Sequence, residues 1–279
     1  MNADFPDLLA RRAELGPAAV AIEEIVTGRS FTYAELDRRA GRAAALLRAR
    51  GIGPGDRVAI LCRNRPAFFE ILFACARIGA ILVPLNWRMT AVELAGLVGH
   101  CEPKLLAYGA EDEAMAPRLG IAARIALDGD YEALVAGIEP LRERPAWPAD
   151  GIWYLLYTSG TTGEPKAVIY TFRMAVANHH NIGSAIDIAS TDRTANFLPL
   201  FHTAGINLHT LPTLFQGGCV LVLPGFDAET IVGLVEAGRL DTFFGVPTVY
   251  QALLDHPRFA AAPLAGVRHW ACGAAAKRG

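Results

Sequence analysis

An α/β fold of two successive, mostly parallel sheets flanked by helices is predicted by three observations in this chain of 279 residues. Short apolar or β-branched runs alternate with helical stretches of about a dozen residues, the grammar of βαβ units. Several of the runs, 152–157 among them, are apolar throughout, as strands covered on both faces are. Helix starts and stops are marked by capping residues and glycines at the expected spacing.

In chain order, a short helix comes first, and 19–25 and 30–33 read as two strands around the Thr27-Gly28 turn. Thr32 followed by Glu35 predicts reciprocal capping of a helix that runs to about Arg50 and stops at Gly51. The 51–56 segment, GIGPGD, is a turn, because its glycines lack the GxGxxG spacing of a dinucleotide fingerprint and precede a strand. Residues 57–62 form that strand. Residues 66–77 form a helix with proline in its first turn and Gly79 past its end, and 80–85 a second strand. Thr90 and Glu93 repeat the capping spacing before a third helix, and 105–108 and 124–127 are further strands. The 140–150 stretch, with three prolines and no apolar period, reads as a linker dividing the chain into 1–150 and 151–279. Beyond it come a helix through Ala185, a strand at 194–198, a helix near 205–215, and a strand at 219–223. A helix at 228–237, a strand at 242–246, a helix opened by Pro247 and a strand at 267–271 complete the reading.

Composition narrows the function classes. A net charge of −2 and the lack of any lysine-arginine block argue against nucleic acid. The apolar region from 68 to 85 is broken by Glu70, Arg77 and Pro84 and falls short of a membrane span. The N-terminus opens with acids instead of the basic-then-apolar order of a signal peptide, so a cytoplasmic protein is expected. The five cysteines are scattered without a CxxC pair, which suits reduced, mostly buried thiols over zinc or a disulfide frame.

Between the strands at 152–157 and 167–171 lies a polar loop. Thr158, Ser159, Thr161 and Thr162 supply hydroxyls, while Gly160 and Gly163 let the backbone turn its N–H groups toward an anion. Lys166, one of only three lysines in the chain, adds a positive charge. A plain turn requires less than this. A Walker-type loop needs glycine before the lysine, Ser or Thr after it, and a following helix. Pro165 and Ala167 stand there instead, and the next run favours strand.

The loop, TSGTTGEPK at 158–166, resembles the signature loop of the adenylate-forming enzymes, among them the acyl-CoA synthetases. The resemblance implies a loop on the β- and γ-phosphates of ATP, with Thr158 as a Mg2+ ligand. A substrate carboxylate attacks the α-phosphorus, giving an acyl-adenylate and pyrophosphate, and coenzyme A then takes the acyl group as a thioester. Gly273, Ala274 and Ala275 are similar to the family's adenine-contacting turn, and Gly245, Val246, Pro247 and Thr248 to its substrate-pocket segment. Residues 85–88, LNWR, resemble a segment common in fatty and medium-chain acyl-CoA synthetases.

His202, in LPLFHTAG at a strand end, is from the residues alone either a hydrogen-bonded structural histidine or a ligand-facing group. The resemblance favours the second, a catalytic and substrate-binding residue beside the acyl group. Phe201 and His202 stand where amino-acid-activating members carry an aspartate for the substrate ammonium. A neutral imidazole supplies no fixed negative charge, so a fatty or other carboxylic acid without an α-amine is expected. His202 and His209 are expected to share a helix face, and His179 and His180 add two imidazoles. No acidic or cysteine partner stands at metal-ligand spacing. Glu111, Asp112 and Glu113 read as a solvated helix start, and no serine sits in a GxSxG elbow.

The resemblance covers essentially the whole chain but only the N-terminal part of the family. The later adenine, ribose and hinge motifs and the C-terminal lid domain with its catalytic lysine have no counterpart in these residues. Two readings stay open: the leading part of an ATP-dependent acyl-CoA synthetase, and a non-catalytic remnant or partner module that binds nucleotide or acid weakly. A second sheet without its later strands is also expected to expose apolar surface and favour a homo-oligomer.

Overall fold

The computed structural model describes residues 4–158 and 165–273. Strand β1 (Asp4–Phe5) is followed by helix α1 (Leu8–Leu15), whose Ala10 N–H donates to the Asp7 carboxylate at 3.0 Å. β2 (Val20–Glu24) and β3 (Arg29–Thr32) make the expected hairpin, and Thr32 and Glu35 cap one another at the start of α2 (Tyr33–Ala49). β4 (Arg57–Leu61) leads into α3 (Pro66–Ile78), which ends at Gly79 with φ 69°, a left-handed conformation that glycine adopts without a Cβ penalty. β5 (Ile81–Pro84), α4 (Ala91–Cys101), β6 (Leu105–Tyr108) and β7 (Ala123–Ala126) continue the alternation, with the Thr90–Glu93 capping box in place. A helix not foreseen in the sequence, α5 (Asp130–Ala136), comes next.

The 140–150 stretch is more than a linker. Within it β8 (Trp147–Pro148) pairs with β1, and the Trp147 ring is buried and stacked on Phe172 at 5.0 Å. β9 (Ile152–Thr158) and β10 (Lys166–Thr171) then pair antiparallel with Thr158 opposite Lys166. α6 (Phe172–Ile186), β11 (Arg193–Asn196), α7 (Thr210–Gln216), β12 (Cys219–Val222) and α8 (Ala228–Glu236) follow. β13 (Thr242–Gly245), α9 (Pro247–Leu254) and β14 (His269–Cys272) complete the described elements. The single helix expected near 205–215 is in fact a π-helical turn over Ala204–Leu208 joined to α7.

The strands form two six-stranded sheets, ordered β10-β9-β5-β4-β6-β7 and β14-β13-β11-β12-β2-β3. Each is parallel except for one edge hairpin, β9–β10 in the first and β2–β3 in the second. The sheets cut across the expected division at residue 150. β9 and β10 extend the first sheet from the β5 edge, while β2 and β3 extend the second from the β12 edge. Such pairings are set by which apolar strand fits an open edge, and sequence order does not fix them.

Helices α1, α2 and α3 are tied by Arg77, which is buried with Asp7 and Asp37 and bonds both carboxylates, Asp7 at 2.8 Å. Among the described residues no helix is long and apolar enough to cross a membrane.

Candidate functional site

The parallel strands of both sheets deliver their C-terminal ends to one cleft of about 1360 Å³. From the first sheet come Arg63 and Asn64 after β4, Trp87 and Arg88 after β5, and Glu111 after β6. From the second come Leu198 and His202 after β11, Phe226 after β12, Val246 and Thr248 after β13, and Gly273 after β14. Ligands of open α/β sheets bind at such strand ends. The lining is rich in aromatic rings, Phe197, Phe201, Phe226 and Phe244 joining Trp87.

His202 is exposed, and its Nδ1 accepts from the Ala204 N–H at 3.2 Å. That bond selects the tautomer with a proton on Nε2, a donor available to a ligand oxygen. The segment carrying it is pinned from below. The Asn64 side-chain amide donates to Asn196 Oδ1 at 3.0 Å and to the Leu198 carbonyl at 2.9 Å, while its oxygen accepts from the Leu200 N–H at 3.3 Å. Asn196 in turn donates to the Gly205 carbonyl at 3.0 Å and to Thr210 Oγ1 at 2.9 Å. Only glycine fits at 205, since a Cβ there would stand 2.2 Å from the Pro199 carbonyl oxygen.

His202 lies before the π-helical turn and His209 after it, so the two do not share a helix face. His209 is 6% exposed and meets Phe244 edge-on at 5.8 Å. Burial drives its pKa down to about 4, with His269 acting in the same direction and Asp192 against it. The ring is neutral at ordinary pH.

The packing of one cluster, and Arg63 within it, escaped the sequence reading. The Arg63 guanidinium lies 3.6 Å from the Trp87 ring centroid and the Arg88 guanidinium 4.8 Å, while Trp87 meets Phe201 edge-on at 5.9 Å. Such cation–aromatic packing fixes the rings that wall the cleft. Its traces in the sequence are Trp87 and Arg88 in the 85–88 segment and Phe201 beside His202, whereas Arg63, directly after β4, carried no signal. The acidic triplet also departs from the solvated helix start expected of it. Glu111 lines the cleft and is held by Arg65 at 3.1 Å, and Asp112 is buried, facing Arg63 at 3.4 Å. Burial raises the Asp112 carboxyl above its usual range, with Arg63 opposing that shift.

Of the residues expected to bind nucleotide or acid, His202, Val246, Thr248 and Gly273 share this cleft, and Trp87, Arg88, Glu111 and Phe201, also noted in the sequence, line it with them. Gly245 and Pro247 stand outside the lining. A Cβ on Gly245 would come 2.9 Å from Val249 Cγ1, and Pro247 opens α9. Thr158 and Lys166 are exposed at the mouth of the β9–β10 hairpin. A hydroxyl opposite an ammonium suits a phosphate with a hard cation. Ser159, Gly160, Thr161, Thr162 and Gly163 lie outside the described residues, as do Ala274 and Ala275.

Residues 9–278 match the family described as AMP-binding enzyme. A feruloyl-CoA synthase of Amycolatopsis sp is 40% identical over 95% of this chain, which spans 53% of that relative. The N-terminal domain of FACL13 from Mycobacterium tuberculosis superposes with a TM-score of 0.87 at 28% identity, covering 96% of this chain and 68% of that one. ATP-bound MatB from Rhodopseudomonas palustris gives a TM-score of 0.82 at 32% identity, covering 92% and 52%. The chain thus spans about half the length of the curated relatives it matches.

Proposed function

Because the chain belongs to the AMP-binding enzyme family, we propose that it supplies the acid- and phosphate-binding part of an ATP-dependent acid–CoA ligase. The carboxylic acid is converted to an acyl-adenylate and then to a CoA thioester. The observation that carries this reading is the aromatic cleft at the strand ends, with the His202 imidazole in its wall.

The acid lacks an α-ammonium group. His202 offers no fixed negative charge, and Glu111, the acid in the lining, is already held by Arg65. The ring-rich wall favours an aryl acid, since aromatic pairs add about 0.5–1.5 kcal/mol beyond the area they bury. The likeness to a feruloyl-CoA synthase supports the same class. Thr158 and Lys166 would hold the phosphates of ATP together with Mg2+, the charges of Lys166 and the cation offsetting that of the phosphates as pyrophosphate leaves. In this reading coenzyme A is the acyl acceptor and Nε2–H of His202 donates to the acyl carboxylate.

The test is calorimetric titration of ATP and Mg2+ into the chain and its Lys166→Ala variant. Loss of one charge-assisted hydrogen bond should weaken binding by about ten- to a hundredfold without lowering the unfolding temperature. Unchanged affinity would remove Lys166 from the phosphate site.

A further inference from the structure

We propose that Asn64 and Pro224 form a partition that sets the longest acid the cleft accepts. The proposal rests on the acid-activating reading of the cleft. A second cavity, of about 450 Å³, lies beside it, and Asn64 and Pro224 are the two residues that line both. Among the described residues, Asn64 and Pro224 therefore stand between the two cavities.

The strand order places this wall along the path of the acid. The cleft takes Gly273, Val246, Leu198 and Phe226 from the ends of β14, β13, β11 and β12, in sheet order. The second cavity continues the row, with Glu24 and Arg29 from β2 and β3 facing Leu127, which follows β7 at the edge of the first sheet. Gly273 and the β9–β10 hairpin, to which the ATP reading assigns the adenylate and phosphates, belong to the opposite edges of the two sheets. An acid with its carboxylate at that end extends toward Asn64 and Pro224.

The stop is stiff, and the space behind it is lined by apolar as well as charged side chains, Val26, Ala67 and Leu127 among them. Asn64 is 5% exposed and held by its three hydrogen bonds to Asn196, Leu198 and Leu200. Beyond it Arg65 pairs with Asp128 at 2.6 Å and Arg29 with Glu132 at 3.6 Å. A tail that grows along the aromatic cleft gains affinity with each methylene it buries, and the gain ends where Asn64 and Pro224 block it.

The experiment titrates the whole chain, followed by tryptophan fluorescence because Trp87 lines the cleft, with straight-chain acids of increasing length. Affinity should rise about fourfold per methylene and then level off at a defined length. In Asn64→Ala and in Pro224→Gly the break should move to acids about two or more carbons longer, each added carbon again gaining about fourfold. Pro224 makes none of the Asn64 hydrogen bonds, so its variant tests the wall even if Asn64→Ala fails to fold. A break that stays in place in a folded Pro224→Gly overturns the partition. Acids that bind the parent chain with no length dependence overturn the partition and leave the acid-binding reading standing, whereas no binding by any acid overturns both.

Discussion

His202 and His209 flank one π-helical turn, and their surroundings give them opposite characters. His202 is exposed at the cleft wall, with Nδ1 bonded to the Ala204 N–H and Nε2 left for a ligand. His209 is buried against Phe244 behind that wall, and its Nδ1 has no hydrogen-bond partner among the described residues. One ring is thus exposed to the cleft and the other packed in the interior, seven residues apart. What separates them is the turn, which breaks the helical period that would have put both rings on one face.

The most damaging way to break this arrangement is to fill the turn. In Gly205→Ala the new Cβ would stand 2.2 Å from the Pro199 carbonyl oxygen and 2.6 Å from that of Leu198. Backbone carbonyls cannot rotate aside as a flexible side chain can, so the segment must unwind and release Asn196 and Thr210. The expected loss is more than about 3 kcal/mol in urea unfolding. Gly96→Ala is the control, since its Cβ in α4 meets nothing within 4 Å, and it should stabilise by up to about 1 kcal/mol. Equal effects at the two glycines would show that the turn is not sterically constrained.

Acid sharpens the difference between the rings. An unfolded histidine titrates near pH 6.5, whereas His209 in the folded chain titrates at about 4. As pH falls the unfolded state takes up the proton first, so the stability tied to the neutral ring is complete above pH 6.5 and is lost as pH falls toward 4. The shift corresponds to roughly 3 kcal/mol. In His209→Phe, which keeps an aromatic ring against Phe244 and removes the titrating nitrogen, that part of the pH dependence should vanish. His269 and Asp192, the two groups that bias His209, remain in both proteins. Unfolding free energies at pH 7 and 4.5 that change by the same amount in parent and variant would refute the buried, neutral assignment.

Local signals in the sequence carried furthest. Both capping boxes, Thr32–Glu35 and Thr90–Glu93, form where their spacing predicts, because each needs only four consecutive residues. The alternation of strands and helices was legible for the same reason. Sheet order was not. Nothing in 152–171 says that β9 will pair with β5, nor does anything in 20–32 say that β2 will pair with β12, for these contacts depend on which edge is open. Trp147 was hidden in a proline-rich stretch whose lack of period looked like a linker, and Asp112 in an acidic run whose buried member is chosen by Arg63 across the sheet. At the site, His202, Val246, Thr248 and Gly273 were legible through the family motif, whereas the contact of Arg63 with Trp87 arises only when β4 and β5 pair, and those of Asn64 with Asn196 and of Trp87 with Phe201 only when the two sheets meet.

The smallest effect on the fold is expected from His202→Ala, and it tests the ligand-facing half of the comparison. The ring is exposed and its one internal hydrogen bond runs two residues along the chain, so stability should stay within about 0.5 kcal/mol of the parent. Affinity for an aryl carboxylic acid should nevertheless fall about ten- to a hundredfold, the worth of one charge-assisted hydrogen bond from Nε2 to the carboxylate. The pH dependence of unfolding that marks His209 should be unchanged. His209→Phe should show the reverse pattern, a flattened pH dependence with acid affinity largely kept, because Phe244 still has a ring to pack against. If His202→Ala destabilised the chain by several kcal/mol while leaving acid binding intact, the roles of the two histidines would have to be exchanged, and the cleft would lose its donor to the substrate carboxylate.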